Sequence, residues 1–348
     1  MKEIKLANKS IGQNSPVFVI AELSANHNGD INRAKQIIKE VATTGADAIK
    51  IQTYTADTIT LNSKNDEFML RSGLWGGQSL YELYKKAYTP WSWQGELKEY
   101  ANSLGLICFS SPFDLSSVEF LGALNMPAYK IASFEINDIP LIRACARTKK
   151  PIIISTGIAD LADIELALKT CYEAGNDDII LLKCTSAYPS PYEDMNLRVI
   201  NTLQSTFGCI VGLSDHTLGC EVALGAVALG AKVIEKHVTL KRSDGGEDCE
   251  FSMEISEFRD MVSSIRHLEL ALGRARYALS SKQSASKALS RSLYICKDMK
   301  KGEIFSPDNL RSVRPNKGLH TRYYDEIIGK KAARDIEFAT PMSWELVE

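Results

Sequence analysis

From residue 17 to residue 237, short Val/Ile-rich runs alternate with longer amphipathic stretches. The short runs are Val17–Ala21, Ala46–Gln52, Leu106–Ser110, Ala128–Ala132, Ile152–Ser155, Ile179–Cys184, Ile210–Leu213 and Lys232–Lys236. They are mostly apolar at successive positions, as strands of a parallel sheet covered on both faces must be. Between them lie helical patterns at Ile31–Thr43, Trp91–Ser103, Ser116–Leu124, Pro140–Thr148, Leu161–Ala174 and Cys220–Leu229. Several are followed by glycine (Gly45, Gly105, Gly175, Gly230), the usual punctuation between a helix and the next strand. Eight such units in succession predict an α/β protein built as a TIM (β/α)8 barrel. The competing doubly wound sheet is disfavoured because no G-x-G-x-x-G follows the first strand.

The pattern changes after the eighth run. A helix is expected over Ile255–Leu272, then a Ser/Lys/Ala-rich linker at 278–290, then a module at 291–348 with strand-length pieces at Ser292–Cys296, Ile304–Phe305 and Ala332–Ile336. Residues 1–277 are the expected barrel domain. The module, of about 58 residues, is small for independent stability and is expected to dock on another surface. Asp57–Pro90 is too long for an ordinary βα connection, and at a barrel mouth it reads as a segment covering substrate.

The length of 348 residues suits one barrel plus one small module. A net charge of -2 gives no electrostatic case for nucleic acid or an anionic membrane. No signal-peptide pattern opens the chain, and no apolar run is long enough to span a bilayer. Eight scattered cysteines without a C-x-x-C pair read as buried small hydrophobes in a reducing cytoplasm.

In a TIM barrel the C-terminal ends of the strands line the active site. Those positions hold Glu22; Lys50 and Gln52; Ser110 to Asp114; Lys130, Ser133 and Glu135; Ser155 to Gly157; Lys183 to Tyr188; Ser214, Asp215 and His216; and Glu235, Lys236 and His237. Two of the five histidines, His216 and His237, therefore end adjacent strands beside carboxylates. A strand-end serine alone reads first as a helix cap, a lone histidine as packing, and Lys50 alone as a side chain reaching out to water. The joint pattern favours a site: paired imidazoles suit a divalent metal, and lysines on strands two and four suit an anion.

Several segments resemble the sialic acid synthase family: Val19-Ile-Ala-Glu-Leu-Ser-Ala-Asn-His-Asn-Gly29, Gly45-Ala-Asp-Ala-Ile-Lys-Ile-Gln52, Tyr129-Lys-Ile-Ala-Ser133, Ile154-Ser-Thr-Gly157, Leu213-Ser-Asp-His-Thr217 and Ile234-Glu-Lys-His237. Arg291-Ser-Leu-Tyr294, Lys301-Gly-Glu-Ile-Phe305, Val313-Arg-Pro315, Gly318-Leu319 and Ile328-Gly-Lys330 are similar to that family's antifreeze-like (SAF, β-clip) domain. Gly73-Leu-Trp75, Tyr81-Glu-Leu-Tyr84, Tyr88-Thr-Pro-Trp91 and Cys108-Phe-Ser-Ser-Pro-Phe-Asp114 are most similar to its pseudaminic acid synthase branch.

The resemblance implies condensation of phosphoenolpyruvate with an open-chain amino-sugar aldose and water, releasing phosphate and using Mn²⁺ or Mg²⁺. For the pseudaminic branch the aldose is 2,4-diacetamido-2,4,6-trideoxy-L-altrose. It implies metal binding by His216 and His237, and phosphoenolpyruvate binding by Lys50, Ser111, Lys130, Ser133, Ser155, Ser186 and Ser214. Glu22, Gln52, Tyr188 and Asp248 match positions near the sugar. Arg314 matches an arginine that enters the partner's active site in a domain-swapped homodimer. Two departures stand out: Ser186 replaces a common Asn, and Lys241-Arg-Ser-Asp-Gly-Gly-Glu-Asp248 replaces a Pro-containing sugar-facing loop. The water-activating base is either Glu22 or Glu235. Rival readings are a sialic or legionaminic acid synthase, a class I aldolase with a Schiff base on Lys50, Lys130 or Lys183, and a binding protein without catalysis.

Overall fold

The computed structural model describes residues 2–348, which divide into two compact units, Met1–Gly273 and Arg274–Glu348. The first unit is a closed eight-stranded parallel barrel. Its strands are β1 (Phe18–Glu22), β2 (Ala48–Thr53), β3 (Ile107–Pro112), β4 (Tyr129–Ile131), β5 (Ile152–Ser155), β6 (Ile179–Cys184), β7 (Ile210–Asp215) and β8 (Val233–Thr239). Each pairs in parallel with its successor, and β8 pairs back onto β1. The helices after the strands are α1 (Ile31–Val41), α2 (Trp91–Ser103), α3 (Leu115–Ala123), α4 (Ile139–Arg147), α5 (Leu161–Glu173), α6 (Val199–Phe207), α7 (Glu221–Ala228) and α8 (Ile255–Leu272). Caps set several starts: Asp30 accepts from the Asn32 N–H, and Asp160 from the Asp163 N–H. Helix α6 ends at Gly208 in the left-handed region (φ 65°).

Alternation along the strands decides what each side chain meets. Val19, Ile49, Cys108, Ile154, Leu181 and Leu213 join the cluster packed under the helices. Their neighbours Ile20, Ala48, Phe109, Ile153, Leu182 and Val233 form a second cluster inside the barrel. A short antiparallel pair, Ile4–Leu6 with Lys9–Ile11, adds Ile4, Leu6 and Ile11 to that interior. Counting onward by twos, the inward positions become polar at the C-terminal strand ends: Glu22, Lys50, Gln52, Ser111, Lys130, Ser155, Ser214, Glu235 and His237. Gly212 holds an inward position where a Cβ would lie 2.3 Å from the Val233 carbonyl oxygen, so the narrow interior there admits only glycine.

Within the first unit the structure departs from the sequence reading at three segments. Helix α6 was not anticipated, because its pattern, Val199–Phe207, carries Asn, Thr, Gln and Ser between its buried Ile200 and Leu203. The expected loop at 57–90 contains secondary structure of its own, a small antiparallel pair (Met69–Leu70 with Gln78–Ser79) and a helix, Leu80–Ala87, opened by a Ser79/Glu82 capping box. The N-terminal antiparallel pair was also missed, since its strands are only three residues each.

The second unit begins with a helix, Ser281–Lys287, within the stretch expected as linker. Its strands Ser292–Ile295 and Leu310–Val313 pair antiparallel, and Leu293, Ile295, Phe305, Leu310, Ile327 and Met342 are among the side chains of a small core. The expected pieces at 304–305 and 332–336 pair only through isolated bridges, Ile304 with Lys331, Ala332 with Val347 and Met299 with Ile336. No helix among the described residues is long and apolar enough to cross a membrane.

Candidate active site

Barrel register gathers the polar inward positions. Glu22 pairs with Lys50 on one side and His237 on the other, while Ser214 pairs with Glu235 and Cys184. The Lys50 ammonium lies 2.5 Å from Glu22 Oε2 and donates to Ser111 Oγ at 3.2 Å. Lys130 donates to Ser155 Oγ at 2.7 Å. Both ammonium groups flank Glu235 Oε1, at 3.8 and 3.7 Å, and Ser214 Oγ donates to the same oxygen at 3.1 Å. Glu235 Oε2 is left without a hydrogen-bond partner.

Two carboxylates thus share one buried corner, and their environments drive them apart. Burial opposes charge on Glu235, but Lys130, Lys50 and the Ser214 hydroxyl outweigh it and hold its pKa below the usual range. Glu22 has only one ammonium close by. Burial and the neighbouring Glu235 charge outweigh Lys50 and push Glu22 up to about 7 from an ordinary 4.5. Between those values the folded state keeps a proton that the unfolded chain has released. The stability from this carboxyl is therefore full below about pH 4.5 and is lost as pH rises through about 7. Glu22→Gln should remove that loss. Relative to wild type, the variant gains ~1–3 kcal/mol between about pH 5 and 8. Melting temperatures across that range test this, and a difference independent of pH excludes the buried proton.

Hydroxyls cluster between β4, β5 and β6. Ser186 Oγ donates to Ser133 Oγ at 2.9 Å, and Ser133 Oγ accepts from the Ile158 N–H at 3.2 Å. A Cβ on Gly157 would fall 2.4 and 2.6 Å from these two hydroxyls, so the glycine lets the backbone close around them. Hydroxyls and N–H groups beside two lysines make a cradle for a phosphate or carboxylate.

The flanking carboxylates of the two histidines have different fates. Glu235 and His237 sit two apart on β8 and both point inward. Asp215 and Lys236, one position out of phase, point outward and pair at 2.7 Å, fully buried. Asp215 also accepts from the Thr217 N–H and hydroxyl, and Lys236 donates to the Thr217 carbonyl, so this pair fastens the turn that carries His216. Lys183 is outward too, donating to the Cys184 carbonyl and the Thr185 hydroxyl.

His216 and His237 lie with ring centroids 5.2 Å apart. The Thr185 carbonyl only accepts, so His216 Nδ1 donates to it at 3.2 Å, and whenever the ring is neutral its lone pair stands on Nε2. His237 Nδ1 is buried with no partner, and burial together with His216 and nearby lysines holds its pKa well below the usual range. A fixed tautomer and an orphaned, uncharged imidazole fit a divalent cation. Among the described residues no third His, Cys, Asp or Glu completes a metal cluster, so such a cation would keep positions for water and substrate oxygens.

These groups form the floor of a cavity of about 390 Å³. Of the residues singled out from sequence, Lys50, Gln52, Lys130, Ser133, Ser155, Tyr188, Ser214, His216, Glu235, His237 and Asp248 line it. Glu22, Ser111 and Ser186 stand behind that wall, bonded to Gln52, Lys50 and Ser133 respectively. Asp248 accepts from Ser24 Oγ and, at 3.3 Å, from the Ala25 N–H, and burial raises it to about 6. Arg314 lies in the second unit just after Leu310–Val313, with its side chain exposed.

Three further wall residues, Phe113, Glu135 and Cys184, also lie among the strand-end positions read from the sequence, whereas Tyr54, Trp75 and Phe251 were not singled out as site residues. Glu135 lines the cavity with Oε2 unpartnered, and burial pushes it up to about 7. Cys184 follows Ile180 and Leu182 in the inward alternation and was readable from it. Tyr54, Trp75 and Phe251 gave no such signal, because long connections carry two of them and Tyr54 lies just past a strand end. Trp75 nevertheless packs against Tyr188 and Phe251, which in turn meet the two histidine rings.

Comparison with known proteins gives consistent matches over both units. The NeuB family model matches residues 37–277, and the SAF domain model matches residues 290–348. The chain is 50% identical over 322 residues to a pseudaminic acid synthase from Campylobacter jejuni, covering 92% of this chain and 94% of that one. It is 46% identical over 334 residues to the pseudaminic acid synthase from Helicobacter pylori, covering 96% and 98%. Among solved structures, an N-acetylneuraminic acid synthetase from Leptospira borgpetersenii, in complex with citrate, superposes with a TM-score of 0.73 at 34% identity, over 82% of this chain and 95% of that one.

Proposed function

The chain belongs to the NeuB family, with a SAF domain at its C-terminal end, and from that membership we propose that it condenses phosphoenolpyruvate with 2,4-diacetamido-2,4,6-trideoxy-L-altrose and water to give pseudaminic acid and phosphate. The observation that carries the reading is the single cavity in which buried Lys50 and Lys130 face Glu235, His216 and His237. Identity to the two pseudaminic acid synthases supports the choice of sugar.

Lys50 and Lys130 hold the carboxylate and phosphate of phosphoenolpyruvate, helped by Ser133, Ser155, Ser186 and Ser214, with Ser111 orienting Lys50. Gln52, Tyr188 and Asp248 face the sugar. His216 and His237 would hold a divalent cation, Mn²⁺ or Mg²⁺, which would supply Lewis-acid polarisation of the aldehyde oxygen. Carbon 3 of phosphoenolpyruvate attacks the aldehyde carbon, and positive charge develops at carbon 2. Glu235 Oε2, ionised and unpartnered, takes the proton of the water that adds there. The tetrahedral product then loses phosphate by C–O cleavage. Glu22, protonated below about pH 7, positions Lys50 and Gln52. The enzyme works in the cytoplasm, where phosphoenolpyruvate is made.

Phosphate release with purified sugars tests the substrate. The trideoxy-altrose should exceed N-acetylmannosamine and the legionaminic precursor at least about tenfold in kcat/KM. Equal or better turnover of either competitor overturns the choice of sugar.

The active assembly is a domain-swapped homodimer in which Arg314 of one subunit reaches the partner's barrel. Arg314→Ala should lower kcat/KM about 10- to 100-fold, the worth of a charge-assisted contact. Mixing it with Glu235→Gln, after dissociation and reassembly, should restore about a quarter of wild-type turnover, because half the dimers are mixed and each has one intact site. No recovery in verified mixed dimers places Arg314 in its own subunit's site.

A further inference from the structure

The inserted segment between β2 and α2 builds one whole side of the cavity, and that side is apolar. Ile59, Leu70, Leu80, Leu83 and Ala87 line it, with Tyr84 beside them. Leu83 and Ala87 are nearly fully buried on the short helix Leu80–Ala87. Trp75 also faces the cavity, but its indole N–H is already donated to the Glu247 carbonyl at 2.7 Å. Among the lining side chains of this segment, one hydroxyl comes from Tyr54 and the other from Tyr84. The Tyr84 ring packs edge-on against Tyr54, which packs against Phe113 across the cavity mouth. The other lining residues carry the ionisable groups: Lys50, Lys130, Glu135, Glu235, Glu247, Asp248 and the two imidazoles.

Such a lopsided cavity sorts a substrate by polarity. The end of an aldose that reacts must sit on the charged floor, beside His216, His237 and Glu235. A group on the far part of the sugar chain then meets the aliphatic wall. A methyl group fits there without loss, whereas a hydroxyl gives up its water and finds almost no partner.

We propose that Leu70, Leu80 and Leu83 form a methyl-selective wall that makes the enzyme prefer a 6-deoxy amino sugar over the same sugar bearing a hydroxyl at carbon 6. This rests on the reading of the site as a nonulosonic acid synthase and adds to it the residues that set one feature of specificity. An apolar pocket rejects an added hydroxyl by up to about 10²-fold, so the wild-type preference should be about 10- to 100-fold in kcat/KM.

The test compares 2,4-diacetamido-2,4,6-trideoxy-L-altrose with its 6-hydroxy counterpart, following phosphate release from phosphoenolpyruvate in wild-type enzyme, Leu83→Asn and Leu70→Asn. Leu70 is half-buried on a surface strand pair, so its substitution leaves the fold intact even if Leu83→Asn does not. The proposal expects a strong wild-type preference that shrinks at least about fivefold in either variant, mainly through faster turnover of the 6-hydroxy sugar. A wild-type preference under about threefold overturns the proposal without any variant. An unchanged preference in Leu70→Asn and in a folded Leu83→Asn also overturns it. Failure of wild-type enzyme to turn over either sugar sinks the synthase reading itself, a different outcome from a synthase that ignores carbon 6.

Discussion

His237→Ala and His216→Ala should each reduce turnover on the order of 10³- to 10⁵-fold, the worth of several kcal/mol of Lewis-acid stabilisation. The reason is geometric. The two imidazoles stand 5.2 Å apart at the cavity floor, and no third metal-binding side chain joins them among the described residues. Losing either leaves a single protein ligand, too few to hold a cation against water. The structure also supplies what ligand histidines need: Thr185 fixes the tautomer of His216, and the burial of His237 keeps its ring neutral. Binding of Mn²⁺, followed by calorimetry or by loss of the free-ion paramagnetic signal, should weaken at least about 10²-fold in each variant, independently of turnover. Wild-type affinity for Mn²⁺ in both variants, or chelator-resistant activity in the wild type, would remove the histidines from metal binding.

Glu235→Gln should lower kcat about 10²- to 10⁴-fold, the usual contribution of a general base. Glutamine keeps the size of the side chain and can still accept from Ser214 through its amide oxygen. It cannot take a proton, and it removes the charge that both Lys50 and Lys130 face. KM for phosphoenolpyruvate should change much less than kcat, because the two ammonium groups remain and lose a competitor for the substrate's negative charge. Glu22→Gln is the matched control: its carboxyl already holds a proton at pH below about 7, so an amide resembles its working form. If the two variants exchange these phenotypes, the base is Glu22.

The choice between these two carboxylates shows where sequence reading stops. Each holds an inward position of its strand, and nothing local separates them. Only the closed barrel sets two lysines and Ser214 around Glu235 and leaves Glu22 with one lysine. The environment of a buried charge depends on residues from other strands, and those distances are not encoded along the chain.

What the sequence by itself determined was the order of eight apolar runs, hence a barrel, and the identity of the polar residues at their ends. A strand buried on both faces must be apolar throughout, so a lysine or glutamate within it stands out, and β5 and β6 were delimited to the residue. Tertiary structure alone decided direction and company. It put Glu235 inside and Asp215 outside, although the two look alike beside their histidines. It moved Ser111, Ser186 and Glu22 behind the cavity wall, and it folded residues 57–90 into a hairpin and helix whose leucines complete the site. Composition specifies which groups are available. Strand phase, barrel closure and the path of a long insertion specify which of them meet a substrate, because each depends on contacts between residues far apart in the chain.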